Sequence, residues 1–431
     1  MIRILVLSQE SWRDDQNGGN VLSNIFDGFE AEFAQIFCSN DLPNNKICKK
    51  YFQLTDSMML NWRIHKLPKK NIGKILEFSG FPGFDLKKGN KEDGIFRFKG
   101  RGIPALQVAR EIAWKMAPWY SDRLKQFVAD FNPDIIFAPC YGSHYMLAMT
   151  RKIAELCKKP IISYISDDFY TNKKVSYSII FWINHFLLRR NVRKTVSLYK
   201  LMYTMTKEQK EQCECDFGIP VKILCKFSTF DQYTEREINN PIRMIYAGGI
   251  YLNRWKTLAK LAKEINNINK NKIKITLDIY TNNKLSAKET KKIENKKTIN
   301  IHNVISGEEL KMIYKKSDIA LHVEGLDLKN RLAVRMSFST KIVDCIGSGC
   351  AIMAICDEKQ AGYAYLKRNN SAICVSRVDE IGKVLEELVD DNDIIKFYMR
   401  QAYILGKRNH DKKKIQKELY QDFTRIIGEN E

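Results

Sequence analysis

The stretch Ser337–Ile355, SFSTKIVDCIGSGCAIMAI, decides how the rest of the chain is read. Ser339 and Thr340 stand before a short apolar-periodic segment, Gly347 and Gly349 close it, and the uncharged run Ala351–Ile355 follows. This is the pattern of an N-capped helix, a glycine stop and a buried strand. The first-turn N–H groups of such a helix have no internal partners and lie at the positive end of its dipole, a ready place for a phosphate. Lys341 adds a mobile cation. About one turn on, Asp344 offers a carboxylate to sugar hydroxyls. Together these residues point to a nucleotide-sugar pocket.

Outward from this segment, apolar runs alternate with helical periods. Before the polar stretch at about Asp231–Pro241, strands are expected at Ile2–Leu7, Asp134–Ala138, Ile161–Ile165 and Leu201–Thr204. Helices are expected at about Val21–Ala34, His144–Cys157 and Lys207–Phe217, the last closed by Gly218. After the polar stretch, strands are expected at Ile242–Tyr246, Ile273–Tyr280, Ile301–Val304 and Asp318–Val323, with helices at Trp255–Ile265 and Glu308–Lys315. The alternation predicts an α/β chain of two doubly wound, Rossmann-like domains facing a central cleft. The expected limits are 1–230, 231–408 and a terminal helix over 409–431. In such folds ligands sit beyond the carboxyl ends of the strands. Gly18-Gly19, Asp167-Asp168, Gly248-Gly249, Glu324 and Ser339-Thr340 all fall there. Only Asp56–Met116, with the turn residues Ser79-Gly80-Phe81-Pro82-Gly83, gives no clear pattern.

A chain of 431 residues, 44% of them hydrophobic, can fill two cores of about 200 residues each. The opening MIRILVLSQ reads as a strand and not as a leader. The longest apolar run, Val175–Leu188, is broken by Asn184 and His185 and falls short of the roughly 20 residues that span a bilayer. Eleven cysteines make no CxxC pair. Reduced core thiols in a reducing cytoplasm are therefore expected, and no metal site. The net charge of +21 comes from lysines spread along the whole chain, which does not favour nucleic acid as partner. One region stands apart. Between Asp168 and Glu208 there is no acidic residue, while Lys173, Lys174, Arg189, Arg190, Arg193, Lys194, Lys200 and Lys207 flank Phe181, Trp182 and Phe186. Such a stretch suits an anionic membrane surface, and equally a helix packed on a sheet with a solvated basic face.

The segments IRMIYAGGIYLNRWKTLAKLAKEI and GEELKMIYKKSDIALHVE, with the opening motif, make the chain resemble the GT-B glycosyltransferases. The likeness is to the group-1, family-4-like branch of bacterial surface-polysaccharide synthesis (capsule, exopolysaccharide or O-antigen). It implies that Arg254 and Lys256, with Gly249, Ser339, Thr340 and Lys341, hold the donor diphosphate. Asp344 matches the family's second glutamate, as a ligand of donor hydroxyls. The residue in the place of the first glutamate by strict spacing is Met336, so its role maps onto Glu324 across a longer loop. The loop Gly18-Gly19-Asn20 matches the family's glycine-containing acceptor and phosphate loop. Where relatives carry a His-Asp pair, this chain has Ser166-Asp167-Asp168. Asp167 or Asp168 is then the candidate to orient or deprotonate an acceptor hydroxyl, with His144 as the alternative base.

The resemblance implies a hexosyltransferase-like enzyme that moves a sugar from a nucleotide-diphosphate-sugar donor to a glycan or polyprenyl-linked acceptor. Retention of configuration, no cofactor and no metal are implied with it. The expected location is cytoplasmic, peripheral on the inner face of the cell membrane. Two alternatives stay open: an enzyme of the same fold resembling nucleotide-sugar 2-epimerases, and a non-catalytic membrane- or nucleic-acid-associated binding protein.

Overall fold

A computed structural model describes residues 1–14, 17–61, 72–77 and 104–430. The turn residues Ser79–Gly83 lie outside them.

The first sheet holds β1 (Ile2–Ser8), β2 (Ala31–Phe37), β3 (Lys50–Gln53), β4 (Lys74–Glu77), β5 (Ile135–Pro139), β6 (Ile161–Ile165), β7 (Tyr199–Thr204) and β8 (Val221–Ile223). Their spatial order is β4-β3-β2-β1-β5-β6-β7-β8, parallel throughout except for the edge strand β4. The second sheet holds β9 (Ile242–Ala247), β10 (Ile275–Tyr280), β11 (Ile299–His302), β12 (Ile319–Val323), β13 (Ala351–Ile355) and β14 (Ile373–Val375). Its order is β11-β10-β9-β12-β13-β14, all parallel. Counted within that sheet the order is 3-2-1-4-5-6, the doubly wound arrangement whose order reverses between β9 and β12.

The strands are apolar on both faces because helices cover both. All five residues of β13, β12 and β6 are buried. This is the near-continuous hydrophobic reading of a parallel sheet and not the alternation of a half-solvated one.

The sequence expectation fails at Val21–Ala34. The helix there is Asn17–Phe26, so Gly18, Gly19 and Asn20 form its first turn and not a free loop. Gly28, at φ +79°, turns the chain, and Ala31–Phe37 runs as β2 beside β1 along its whole length, Ile2 opposite Ala31 to Ser8 opposite Phe37. The apolar spacing of AEFAQIF fits either period, and pairing with β1 decides it. Buried Gln35 is satisfied inside the sheet: its side-chain amide donates to Ser8 Oγ (2.6 Å) and its carbonyl accepts from Trp12 N (3.0 Å).

The terminal helix Lys412–Gly428 packs on the first sheet. Phe423, fully buried, meets Phe29 and Phe26 at ring-centroid distances of 5.6 and 6.3 Å. Asp422 accepts from Tyr203 Oη (2.7 Å) and pairs with Lys222 (2.5 Å).

Candidate active site

The order reversal of the second sheet brings together the turn after β9 and the turn after β12. Arg254, first residue of helix Arg254–Ile268, sends Nε to Glu324 Oε2 (2.7 Å) and Nη2 to Glu324 Oε1 (2.8 Å). Both side chains are over nine-tenths buried, and the pairing is the two-pronged guanidinium–carboxylate geometry. Thr257 Oγ1 donates to the Glu324 carbonyl (2.8 Å), which ties helix Arg254–Ile268 to the end of β12. The backbone is pressed to make this fit. Leu252 and Asn253 both take left-handed conformations (φ 55° and 61°), rare for residues other than glycine. A Cβ on Gly325 would lie 2.1 Å from the Leu252 carbonyl oxygen, so only glycine can follow Glu324 here.

Lys341 approaches the same place from helix Thr340–Ile346. Its Nζ lies 3.4 Å from Tyr246 Oη and 5.1 Å from the centre of that ring, and Tyr246 Oη in turn donates to the Gly249 carbonyl (2.6 Å). Gly248 (φ +149°) leaves the room: a Cβ there would sit 2.0 Å from Lys341 Nζ. Among the described residues the Lys341 ammonium has no carboxylate partner within ion-pair distance. Burial, and then the charge of Arg254, hold it down to about 8 against the opposing pull of Glu324 and Asp344. His322, buried on β12, has no hydrogen-bond partner for Nε2 among the described residues, and burial holds it near 4, a neutral imidazole.

The other predicted residues fall in three places. Ser339 stands at the N-cap of helix Thr340–Ile346 without a side-chain capping bond, and Gly349 (φ +77°), not Gly347, takes the left-handed position behind it. Asp344, on the exposed side of that helix, pairs with Lys226 at 2.6 Å. Lys256 is exposed and lies over Trp255, with Nζ 5.8 Å from the ring. Two positions along a helix turn a side chain about 200° from Arg254, so the geometry does not bring Lys256 to the Arg254–Glu324 pair.

Asp167 and Asp168 meet the second half of the chain. Asp168 accepts from Thr171 N (2.9 Å), Thr171 Oγ1 (2.5 Å) and Arg335 Nη2 (2.5 Å), and Asp167 Oδ1 accepts from Ser337 Oγ (3.0 Å). Burial works against ionisation of Asp168, but the Thr171 bonds and the charges of Lys174 and Arg335 outweigh it and leave the carboxyl below its usual range. A carboxylate so held is a weak base and a good anchor. His144 is likewise engaged: Nε2 lies 3.0 Å from Asn184 Oδ1 and Nδ1 2.8 Å from Asn191 Nδ2. Sequence reasoning missed Arg335, Ser337, Tyr246, Thr257 and His322. Only Arg335 and Ser337 carried a signal, their closeness to the Ser339–Lys341 motif. Among the described residues no group of three or more His, Cys, Asp or Glu gathers as a metal site.

Neither a protein-family profile nor a curated protein matches the sequence. Solved structures do. E. coli trehalose-6-phosphate synthase bound with UDP-2-fluoro glucose superposes with a TM-score of 0.59 at 11% identity over 98% of each chain. Anabaena HepE in complex with UDP gives 0.62 at 10% over 98% of this chain and all of that one. Sucrose-phosphate synthase from Thermosynechococcus elongatus gives 0.61 at 10% over 99% and 100%. At such identities it is the architecture that is shared, and the chain has the two-domain α/β fold of the GT-B glycosyltransferases.

Proposed function

We propose that this protein is a glycosyltransferase that moves a sugar from a nucleotide-diphosphate-sugar donor to a glycan or lipid-linked glycan acceptor in surface-polysaccharide synthesis, with retention of configuration. The observation that carries the reading is the Lys341 ammonium, largely buried and without a carboxylate in ion-pair distance among the described residues, set beside the glycine turn where the second sheet reverses its order. Burying a charge is costly unless something of opposite sign meets it, and a diphosphate is such a group. The three solved structures described above, two of which hold UDP or a UDP-sugar, share the fold and support a nucleotide-sugar ligand.

In this reading the donor diphosphate lies against Lys341, the first-turn N–H groups of Thr340 and Lys341, and the Gly248-Gly249 turn; the Ile342 N–H is already taken by the Ser339 carbonyl (2.9 Å). As the glycosidic bond breaks, negative charge builds on the leaving diphosphate, and fixed donors stabilise it without reorganising. Arg254 acts at one remove. Locked to Glu324, it fixes the turn that presents Gly249 and adds positive potential. Glu324 and Asp344 are the proposed groups for the donor sugar, the latter once Lys226 yields it. Asp167 and Asp168, just beyond the carboxyl end of β6, are the proposed groups for an acceptor hydroxyl. No divalent ion is invoked.

The test is release of nucleoside diphosphate from UDP-, GDP-, ADP- and dTDP-sugars, with and without polyprenyl-linked oligosaccharide acceptors. Release that requires an acceptor and lengthens its glycan supports transfer. Interconversion of the donor alone would replace it with the epimerase reading, and inertness toward every donor would remove the enzyme reading.

A further inference from the structure

The helix Ile179–Val196 follows the Asp167–Asp168 loop and packs beside helices His144–Cys157 and Pro104–Met116, its apolar side joining the core cluster of the first sheet. His185, Leu188, Val192, Thr195 and Val196 form its buried side. The outward side is unusual for a water-facing surface: Ile179 is 77% exposed, Ile183 58%, Phe186 58% and Leu187 55%, and Tyr177 just before the helix is fully exposed. A lone exposed apolar residue is ordinary, but a run of them on one face is not. Along the same outward stripe, Arg190, Arg193 and Lys194 occupy the second half of the helix, and no acidic residue occurs between Asp168 and Glu208. Among the described residues neither Arg190 nor Lys194 makes a side-chain hydrogen bond or ion pair. Trp182, half-buried, has its indole N–H on the Ser176 carbonyl (3.0 Å), an amphipathic ring at the edge of the apolar set.

We infer that this outward stripe is a monotopic docking surface for an anionic lipid bilayer, with Ile179, Ile183, Phe186 and Leu187 entering the acyl boundary and Arg190 and Lys194 meeting lipid phosphates, while Arg193 Nε is held by Tyr170 Oη (2.6 Å). Charge selects the occupant. A purely apolar partner would leave the cations desolvated, and a purely acidic one would leave the isoleucines and Phe186 in water. A surface that is apolar in depth and anionic at its rim satisfies both. No helix among the described residues is long and apolar enough to cross a membrane.

Topology gives the docking a purpose. The loop after β6 leaves the carboxyl end of the strand, and the helix then runs back along the sheet. Its apolar first turns therefore lie on the rim that carries Asp167 and Asp168, while its basic end points away. A bilayer at that rim would present a lipid-linked acceptor to the two aspartates. This last step rests on the transferase reading; the docking itself does not.

The test uses the full chain, without sugar nucleotide, and vesicles of phosphatidylethanolamine with phosphatidylglycerol against vesicles of phosphatidylcholine alone. Co-sedimentation with the anionic vesicles alone is expected. Ile183→Glu/Phe186→Glu should weaken it at least about tenfold, and Arg190→Glu/Lys194→Glu by a similar factor that grows at low salt. All four side chains are exposed or lack side-chain partners, so unchanged melting temperatures are expected and serve as the folding control. Three results would overturn the inference: no vesicle binding by the native chain, binding untouched by either double variant, or a native dimer that the Ile183→Glu/Phe186→Glu variant turns into a monomer, which would make a second copy the occupant. Vesicle binding without sugar transfer would sink the function and leave the docking surface standing.

Discussion

Replacing Lys341 by methionine separates ligand binding from folding more cleanly than any other single change. Methionine keeps the unbranched stem that fills the space beside Gly248 and removes only the ammonium, which sits 3.4 Å from Tyr246 Oη and, among the described residues, has no carboxylate in ion-pair distance. A hydrogen bond to a charged group is worth about 1.5–3 kcal/mol net. If one forms to the donor phosphate, the dissociation constant of the cognate nucleoside diphosphate should rise by roughly 10- to 150-fold at pH 7. The melting temperature should not fall, because a desolvated charge is being removed and not a packed group. A pH dependence sharpens the test. Free Lys341 loses its proton around pH 8, whereas a bound phosphate favours the ammonium and raises that value. Binding above pH 8 must then take up a proton, so native affinity should fall by up to about tenfold per pH unit beyond 8. The methionine variant should lack that fall. Titration calorimetry at pH 7 and pH 9 reads both effects. Native-like affinity in the variant, or the same loss at pH 9, would refute the role given to Lys341.

Further outcomes follow from the same geometry. Arg254→Ala should destabilise the chain by about 3–5 kcal/mol, because it strands a buried Glu324 carboxylate; Arg254→Met/Glu324→Met should cost clearly less than the sum of its singles in denaturant melts, and strict additivity would contradict the pairing. Lys256→Ala, an exposed site, should leave stability within about 0.5 kcal/mol and transfer unchanged, and a turnover loss would put Lys256 back beside the donor. Gly325→Ala meets the Leu252 carbonyl at 2.1 Å and should lower both melting temperature and activity, which a native-like variant would disprove. His322 and His410 are each held near pH 4, burial being the main cause. Between pH 6.5 and 4 the unfolded chain binds protons that the folded one refuses, so stability should drop as pH falls, at most about 1.4 kcal/mol per pH unit for each histidine. Melting temperatures that stay flat from pH 6.5 to 4.5 would count against both burials.

What could be read in advance follows from where the signal resides. Most of the second sheet was legible because its strands are short, apolar and punctuated: Ala351–Ile355 and Thr340–Ile346 appear where their composition places them, whereas the strand expected at Ile301–Val304 runs at Ile299–His302 and the three-residue edge strand Ile373–Val375 was not read at all. Helix Lys207–Phe217 with its Gly218 cap was legible for the same local reasons. Ala31–Phe37 was not, since its apolar spacing suits two periods and only the neighbouring β1 chooses between them. The site divides similarly. Its residue types and turns are local, so Gly248-Gly249, Arg254, Glu324 and Lys341 stood out. Their partners are not local: Arg254 meets Glu324 across 70 positions, Lys226 meets Asp344 across 118, and Arg335 meets Asp168 across 167. The chain's fold makes those pairs, and they change what each residue is free to do. Arg254 becomes a positioning group, Asp168 an anchor between the two halves, and Lys341 the cation left over for a ligand.

This cation and its glycine turn are proposed to hold a nucleoside diphosphate. The most direct measurement is the thermal shift of the purified full chain with UDP, GDP, ADP and CMP and their common sugar conjugates, without added metal. A rise of several degrees is expected with one nucleoside diphosphate and its sugar conjugates, as mass action requires of a ligand well above its dissociation constant, and a much smaller rise in Lys341→Met. No shift with any nucleotide would contradict it.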